Sequence, residues 1–113
     1  MILTLTPNPS HDRTVSLATT LQRGAVLRAE SVTDQAGGKG VNISRASVAA
    51  GIPTMAVLPA PPEDPFVLEL LAAGIDCRPV ATDGMLRVNI TISEPDGTTT
   101  KLNSPGPTAT PAL

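Results

Sequence analysis

The chain has 113 residues, 41 % of them apolar, a formal charge of −2 and a single aromatic residue, Phe66. That length holds one small domain, and the weak net charge gives no long-range attraction to nucleic acid or acidic membranes. Without Trp or Tyr there is no stacking platform for single-stranded nucleic acid, so any anion site must be local.

In chain order, residues 2–6 form a short apolar, β-favouring run closed by Pro7-Asn8-Pro9, which predicts a buried first strand and a turn. Residues 13–17 and 25–33 alternate loosely between apolar and polar around Gly24, as short strands of a partly exposed sheet would. Gln35-Ala36-Gly37-Gly38-Lys39-Gly40 reads as a glycine-rich loop, and residues 41–50 as a helix ending at Gly51. Residues 53–58 predict a strand with its proline at the start, and residues 65–73 a second helix with Pro65 in its first turn and Gly74 at its end. Ala49-Ala50-Gly51-Ile52 recurs as Ala72-Ala73-Gly74-Ile75, one helix-to-strand exit used twice. Strand, helix and strand in alternation point to an α/β fold with parallel strands.

Residues 85–103 read as a hairpin. Val88, Ile90 and Ile92 alternate with polar residues, and Pro95-Asp96-Gly97 precedes a second run from Thr98. For the apolar face of the first strand to meet Leu102, the loop must hold an odd number of residues. Three fit, with Gly97 left-handed as a bulge. That register sets Asn89 opposite Asn103 and Thr91 opposite Lys101, so Arg87, Asn89, Lys101 and Asn103 share one cation-and-amide face suited to a phosphate and hydroxyls. The residues from Ser104 onward carry Pro105, Pro107 and Pro111 and close without a structural stop, as a domain edge or a truncated chain would.

The glycine run lets backbone approach a ligand closely, and the free N–H groups of a first helical turn favour an anion or an oxygen-rich ligand. Lys39 adds a charge and Asn42 a donor and acceptor; the same run also serves as an ordinary tight turn. It is not a nucleotide P-loop, because Gly40 stands where that motif needs a hydroxyl, and it does not match G-x-G-x-x-G. Asp12 either accepts hydrogen bonds from sugar hydroxyls or is a solvated turn aspartate. His11 is read as a surface residue, and Glu63-Asp64 as a solvated loop and helix entry. One Cys and one His do not complete a zinc site. Cys77 cannot form an intrachain disulfide and is expected as a half-buried thiol near a strand, in a reducing compartment. Residues 1–9 lack the pattern of a signal peptide, and no run approaches the about 18 apolar residues that cross a bilayer. A cytoplasmic chain with no membrane partner is expected.

Three elements in this order, Thr6-Pro7-Asn8-Pro9 with Asp12, Gly37-Gly38-Lys39-Gly40-Val41-Asn42, and Arg87-Val88-Asn89 followed by Lys101-Leu102-Asn103 and Pro105-Gly106-Pro107, carry a resemblance. The chain resembles the ribokinase-like (PfkB) carbohydrate kinases over essentially its whole length, and among them the 1-phosphofructokinase and tagatose-6-phosphate kinase branch. The resemblance implies an incomplete parallel sheet with helices plus a small β lid, its strands at about 13–33 and 85–103. It implies phosphoryl transfer from ATP, with Mg, to a sugar phosphate such as fructose 1-phosphate. Asp12, Gly38, Lys39 and Asn42 would bind sugar hydroxyls, Arg87 and Lys101 the substrate phosphate, and Asn89 and Asn103 would line the same surface. In many relatives the lid also forms a homodimer interface.

Two departures stand out. The family's glycine-rich loop after the strand at 54–58 is replaced by Pro59-Ala60-Pro61-Pro62-Glu63-Asp64-Pro65, and the G-A-G-D motif that carries the family's catalytic aspartate does not occur. The expectation is therefore the amino-terminal part, residues 1–113, of a single kinase domain, without catalytic residues and with the nucleotide site in an absent carboxyl-terminal part. The other readings are a stand-alone sugar-phosphate-binding or interaction module, and a degenerate reading frame whose product folds only in part.

Overall fold

A computed structural model describes residues 1–82 and 85–106, so Pro107 and the tail that follows lie outside the described residues. In chain order the elements are β1 (Ile2–Leu5), β2 (Ser10–Leu17), β3 (Ala29–Gly37), α1 (Lys39–Ala49), β4 (Thr54–Pro59), α2 (Pro65–Ala72), β5 (Asp76–Val80), β6 (Arg87–Ser93) and β7 (Thr99–Leu102). They build two sheets. One is parallel with order β1-β4-β5; the other has order β3-β2-β6-β7, with β2 parallel to β6 and the remaining pairs antiparallel.

Both helices end as their sequences predict. Gly51 and Gly74 are left-handed, at φ 74° and 83°. After α1 the Ile52 N–H reaches the Ser47 carbonyl and the Gly51 N–H that of Val48; after α2 Ile75 reaches Leu70 and Gly74 reaches Leu71. The repeated Ala-Ala-Gly-Ile is thus one Schellman exit used twice. It satisfies the last helical carbonyls and turns the chain towards β4 and β5. α2 begins at Pro65, and Asp64 caps it by accepting a hydrogen bond from the Phe66 N–H at 2.8 Å.

The core lies on one side of the parallel sheet, where Val41, Ala56, Leu58, Phe66, Val67, Leu70, Ile75 and Cys77 form one buried cluster under the two helices. Cys77 is more deeply placed than the half-buried thiol expected, and burial, with Asp76 beside it, pushes the thiol up. β1 is not the fully buried strand its apolar run predicts. Its threonine face points inward, while Leu3 and Leu5 are 66 % and 56 % exposed. Among the described residues no layer covers the sheet face that carries Leu3, Leu5 and their register partners Met55 and Val57.

A chain of hydroxyls makes the inward threonine face tolerable. Thr54 Oγ1 donates to the Ile2 carbonyl at 2.9 Å, so Ser44 Oγ must donate to Thr54 and Thr4 Oγ1 to Ser44, at 2.9 and 2.8 Å. Each hydroxyl spends its one proton, and β1, β4 and α1 are tied together. Ser44→Ala would strand the Thr4 proton and an acceptor site on Thr54. A loss of about 1–3 kcal/mol is expected, read as a lower urea midpoint at unchanged slope, with partial recovery when Thr4→Val is added.

Candidate functional site

The four-stranded sheet gathers the polar residues that the sequence singles out. β2 pairs in parallel with β6 so that Ser10 meets Arg87, Asp12 meets Asn89 and Thr14 meets Thr91. β6 pairs with β7 in the predicted register, Thr91 opposite Lys101 and Ile90 opposite Leu102. The three-residue loop is also as predicted: Glu94 N–H donates to the Thr98 carbonyl, Gly97 N–H to that of Glu94, and Gly97 is left-handed at φ 90°. Asn103 follows the end of β7, and Asn89 Oδ1 accepts a hydrogen bond from the Ser104 N–H at 3.2 Å. Asp12, Asn89, Thr91, Lys101 and Asn103 line one recess of about 220 Å3.

A second recess, of about 240 Å3, is lined by Leu5, Thr6, Pro7, Asn8, Gly38, Lys39, Gly40 and Arg87. The glycine run is not a loop. β3 continues through Gly37 and α1 begins at Lys39, which leaves Gly38 alone between them, at φ 134°. Tertiary pairing with β2 holds Gln35, Ala36 and Gly37 extended against their loop-like composition. For the same reason β2 starts at Ser10, not residue 13, and β3 spans residues 29–37, not 25–33. At the N-terminus of α1, Gly38 makes no side-chain cap and the first turn carries no acid, only Lys39. A cation at that end opposes the helix dipole and reinforces the field an anion would meet.

The glycines make room. A Cβ on Gly37 would fall on the Asp12 carboxylate, and one on Gly40 on Thr6 Oγ1. Asp12 is exposed, as a solvated aspartate would be, but it is not in a turn; it stands in β2 over Gly37, and its Oδ1 accepts a hydrogen bond from Ser10 Oγ at 2.7 Å. Arg87 Nη2 donates to the Asn8 carbonyl at 3.1 Å, which ties β6 to the Pro7-Asn8-Pro9 turn. Arg87 Nε and Thr6 Oγ1 are buried with no hydrogen-bond partner among the described residues, and both belong to residues lining the second recess. Unpaired buried polar atoms of this kind are uncommon and call for an explanation.

The arrangement redistributes the expected set. Arg87 and Lys101 fall in different recesses, Arg87 with Gly38 and Lys39, and Lys101 with Asp12, Asn89 and Asn103. Asn42 is exposed on α1 and lines neither recess. Ser10, Thr6, Asn8 and Thr91 join the site although the sequence assigns none of them a ligand role: Thr6 and Asn8 count there only as part of the first motif, and Thr91 only in the hairpin register. Ser10 was within reach, being two residues before Asp12 and so on the same strand face, but Pro9 obscured where the strand begins.

His11 and Asp64 also differ from expectation. Neither is a solvated surface group: His11 Nε2 lies 3.1 Å from Asp64 Oδ1, with side chains 22 % and 12 % exposed, and the imidazole meets Phe66 edge-on at 5.7 Å. The proline-rich segment forms a turn, with Asp64 N–H donating to the Pro61 carbonyl at 3.0 Å, that brings Asp64 to both the helix start and His11. Among the described residues, no helix is long and apolar enough to cross a membrane.

No family model matches the chain. Two curated proteins named 1-phosphofructokinase do. The one from Haloferax volcanii is 38 % identical over 109 residues, which span 95 % of this chain and 35 % of that protein. The one from Xanthomonas campestris pv. campestris is 37 % identical over 109 residues, 92 % of this chain and 33 % of that protein. The chain thus spans about a third of the length of the curated relatives it matches. Among solved structures, phosphofructokinase-2 from Escherichia coli in complex with fructose-6-phosphate superposes with a TM-score of 0.81 at 26 % identity, over 93 % of this chain and 35 % of that one. Sequence and fold agree with the ordered motifs: over nearly its whole length the chain is similar to these 1-phosphofructokinases and shares the fold of the corresponding third of phosphofructokinase-2.

Proposed function

We propose that this chain is the substrate-binding part of an ATP-dependent sugar-phosphate kinase acting on fructose 1-phosphate or a related hexose phosphate. The observation that carries the reading is the convergence of two unlike recesses on one edge of the fold. Ser10 and Asp12 are two strand residues apart, as are their partners Arg87 and Asn89, so the two ends of the site are separated by about 7 Å. One end offers Lys39, Arg87 with its unpartnered Nε, and the uncapped start of α1, a set suited to a phosphate. The other offers a carboxylate, two amides and an ammonium, Asp12, Asn89, Asn103 and Lys101, which can accept from and donate to sugar hydroxyls.

Catalysis falls outside this chain's own residues. The sequence has no G-A-G-D motif, where the resemblance puts the catalytic aspartate. In this reading ATP and Mg are held by parts of the kinase other than these residues. The uncovered face of the parallel sheet fits a domain that is larger in the relatives, because parallel sheets bury both faces. The outer strands of the lid carry exposed Val32 on β3 and Leu102 on β7, and we place a homodimer contact there; one Escherichia coli phosphofructokinase-2 structure is described as a tetrameric inhibited form. A buried thiol and no disulfide fit the cytoplasm.

Calorimetric titration of the chain with fructose 6-phosphate and fructose 1-phosphate is expected to give saturable binding without turnover of added ATP. Asp12→Asn and Arg87→Met should each weaken it about 10- to 100-fold, the range for losing a hydrogen bond to a charged group. Absence of saturable binding, or affinity in both variants unaltered from that of the unmodified chain, would contradict the site; ATP turnover by the chain alone would contradict the division of labour.

Gly37→Ala supplies a second test. Its methyl group displaces the Asp12 carboxylate, so the variant should lose sugar-phosphate binding while its far-ultraviolet circular dichroism stays that of the unmodified chain. Retained affinity would show that Asp12 is not where the ligand sits.

A further inference from the structure

The end of β3 is held by side chains that the sugar site does not use. β3 is an outer strand of the lid sheet, so alternate residues turn their N–H and C=O away from β2 and need partners elsewhere. At Ala36 an ion pair takes the place of the missing strand. Glu69 Oε2, on α2, accepts from the Ala36 N–H at 2.6 Å, and Arg45 Nη1, on α1, donates to the Ala36 carbonyl at 2.6 Å. Arg45 Nη2 and Glu69 Oε2 close the triangle at 2.9 Å. One acceptor and one donor, both charged, thus complete a single residue's backbone.

Ala36 stands directly before Gly37 and opposite His11, which itself stands directly before Asp12. His11 is tied to the first turn of the same helix through Asp64. Two neighbouring positions on the back of the lid are therefore anchored to α2, and the two residues that follow them are the glycine and the carboxylate that need each other's exact clearance.

We propose that Arg45 and Glu69 are positioning residues for the sugar site: by gripping both polar groups of Ala36 they fix where β3 gives way to α1, and hence where Gly37 admits the Asp12 carboxylate. Neither touches the recesses that line the site. Their effect on binding rests on the site reading above; the grip on Ala36 does not.

Hydrogen exchange and amide resonances of the full chain, with and without fructose 6-phosphate, separate the two. In Glu69→Ala the Ala36 amide should exchange about 10- to 100-fold faster, the factor for one hydrogen bond to a charged group, while the amides of Ala56 and Leu58 in β4 keep their protection. The Gly37 and Asp12 amide signals should shift or broaden, and fructose 6-phosphate affinity should fall about tenfold or more by the same measure. Glu69→Gln, which keeps an acceptor, should recover part of each effect, and it serves if Glu69→Ala does not fold. Unchanged Ala36 exchange, or fast exchange with unmoved Gly37 and Asp12 signals, overturns the inference. So does a shift in those signals with affinity unaltered. If the unmodified chain binds no fructose 6-phosphate, the site reading falls, and the positioning role is decided by the amide signals alone.

Discussion

The double pairing of β2 is the constraint on which the rest of this structure depends. With β3 on one side and β6 on the other, one residue of β2 determines what stands beside it in two directions. Asp12 meets Asn89 on β6 and Gln35 on β3, and Ser10 meets Arg87 and Gly37. A slip of one residue in either ladder would turn Asp12 to the side now held by His11, against Phe66. The packing of His11 on Phe66 and its bond to Asp64 therefore oppose the slip from behind, and the lack of a Cβ at Gly37 permits the register in front.

Local chemistry made some of this legible in the sequence and tertiary pairing hid the rest. The hairpin register followed from counting loop residues, because the alternation of Val88, Ile90 and Ile92 allows only an odd loop and Gly97 supplies the left-handed residue. The two helix exits followed from Gly51 and Gly74. Where β3 ends did not. Gln35-Ala36-Gly37 has the composition of a turn, and only β2 on one side and the Arg45–Glu69 pair on the other hold it extended. The His11–Asp64 contact joins residues 53 apart in the chain, and nothing in local composition marks two such residues as partners. Asn42 shows the opposite case: it completes the glycine motif in the sequence, but on α1 it is exposed and lines neither recess.

The energetics of the two sheets differ in kind. The parallel sheet is stabilised on one side by an apolar cluster centred on Leu58, Phe66, Leu70 and Ile75, while Leu3 and Leu5 remain in water on the other. Among the described residues the four-stranded sheet has no comparable core, and its surface ion pair, Arg13–Asp34, has side chains 42 % and 47 % exposed. Exposed pairs of that sort contribute little, although Arg13 holds the Asp34 carboxyl below the usual carboxylate range. That sheet meets the helices at His11 and Ala36.

The most direct measurement is a map of amide shifts on the isotope-labelled chain as fructose 6-phosphate is added to saturation. The account predicts the largest shifts at Asp12, Gly37, Gly38, Lys39, Arg87, Asn89 and Lys101, with Phe66 and Leu86 on the other side of the lid little moved. Shifts centred on Phe66, Met85 and Val88, or none above the level produced by inorganic phosphate, would contradict it.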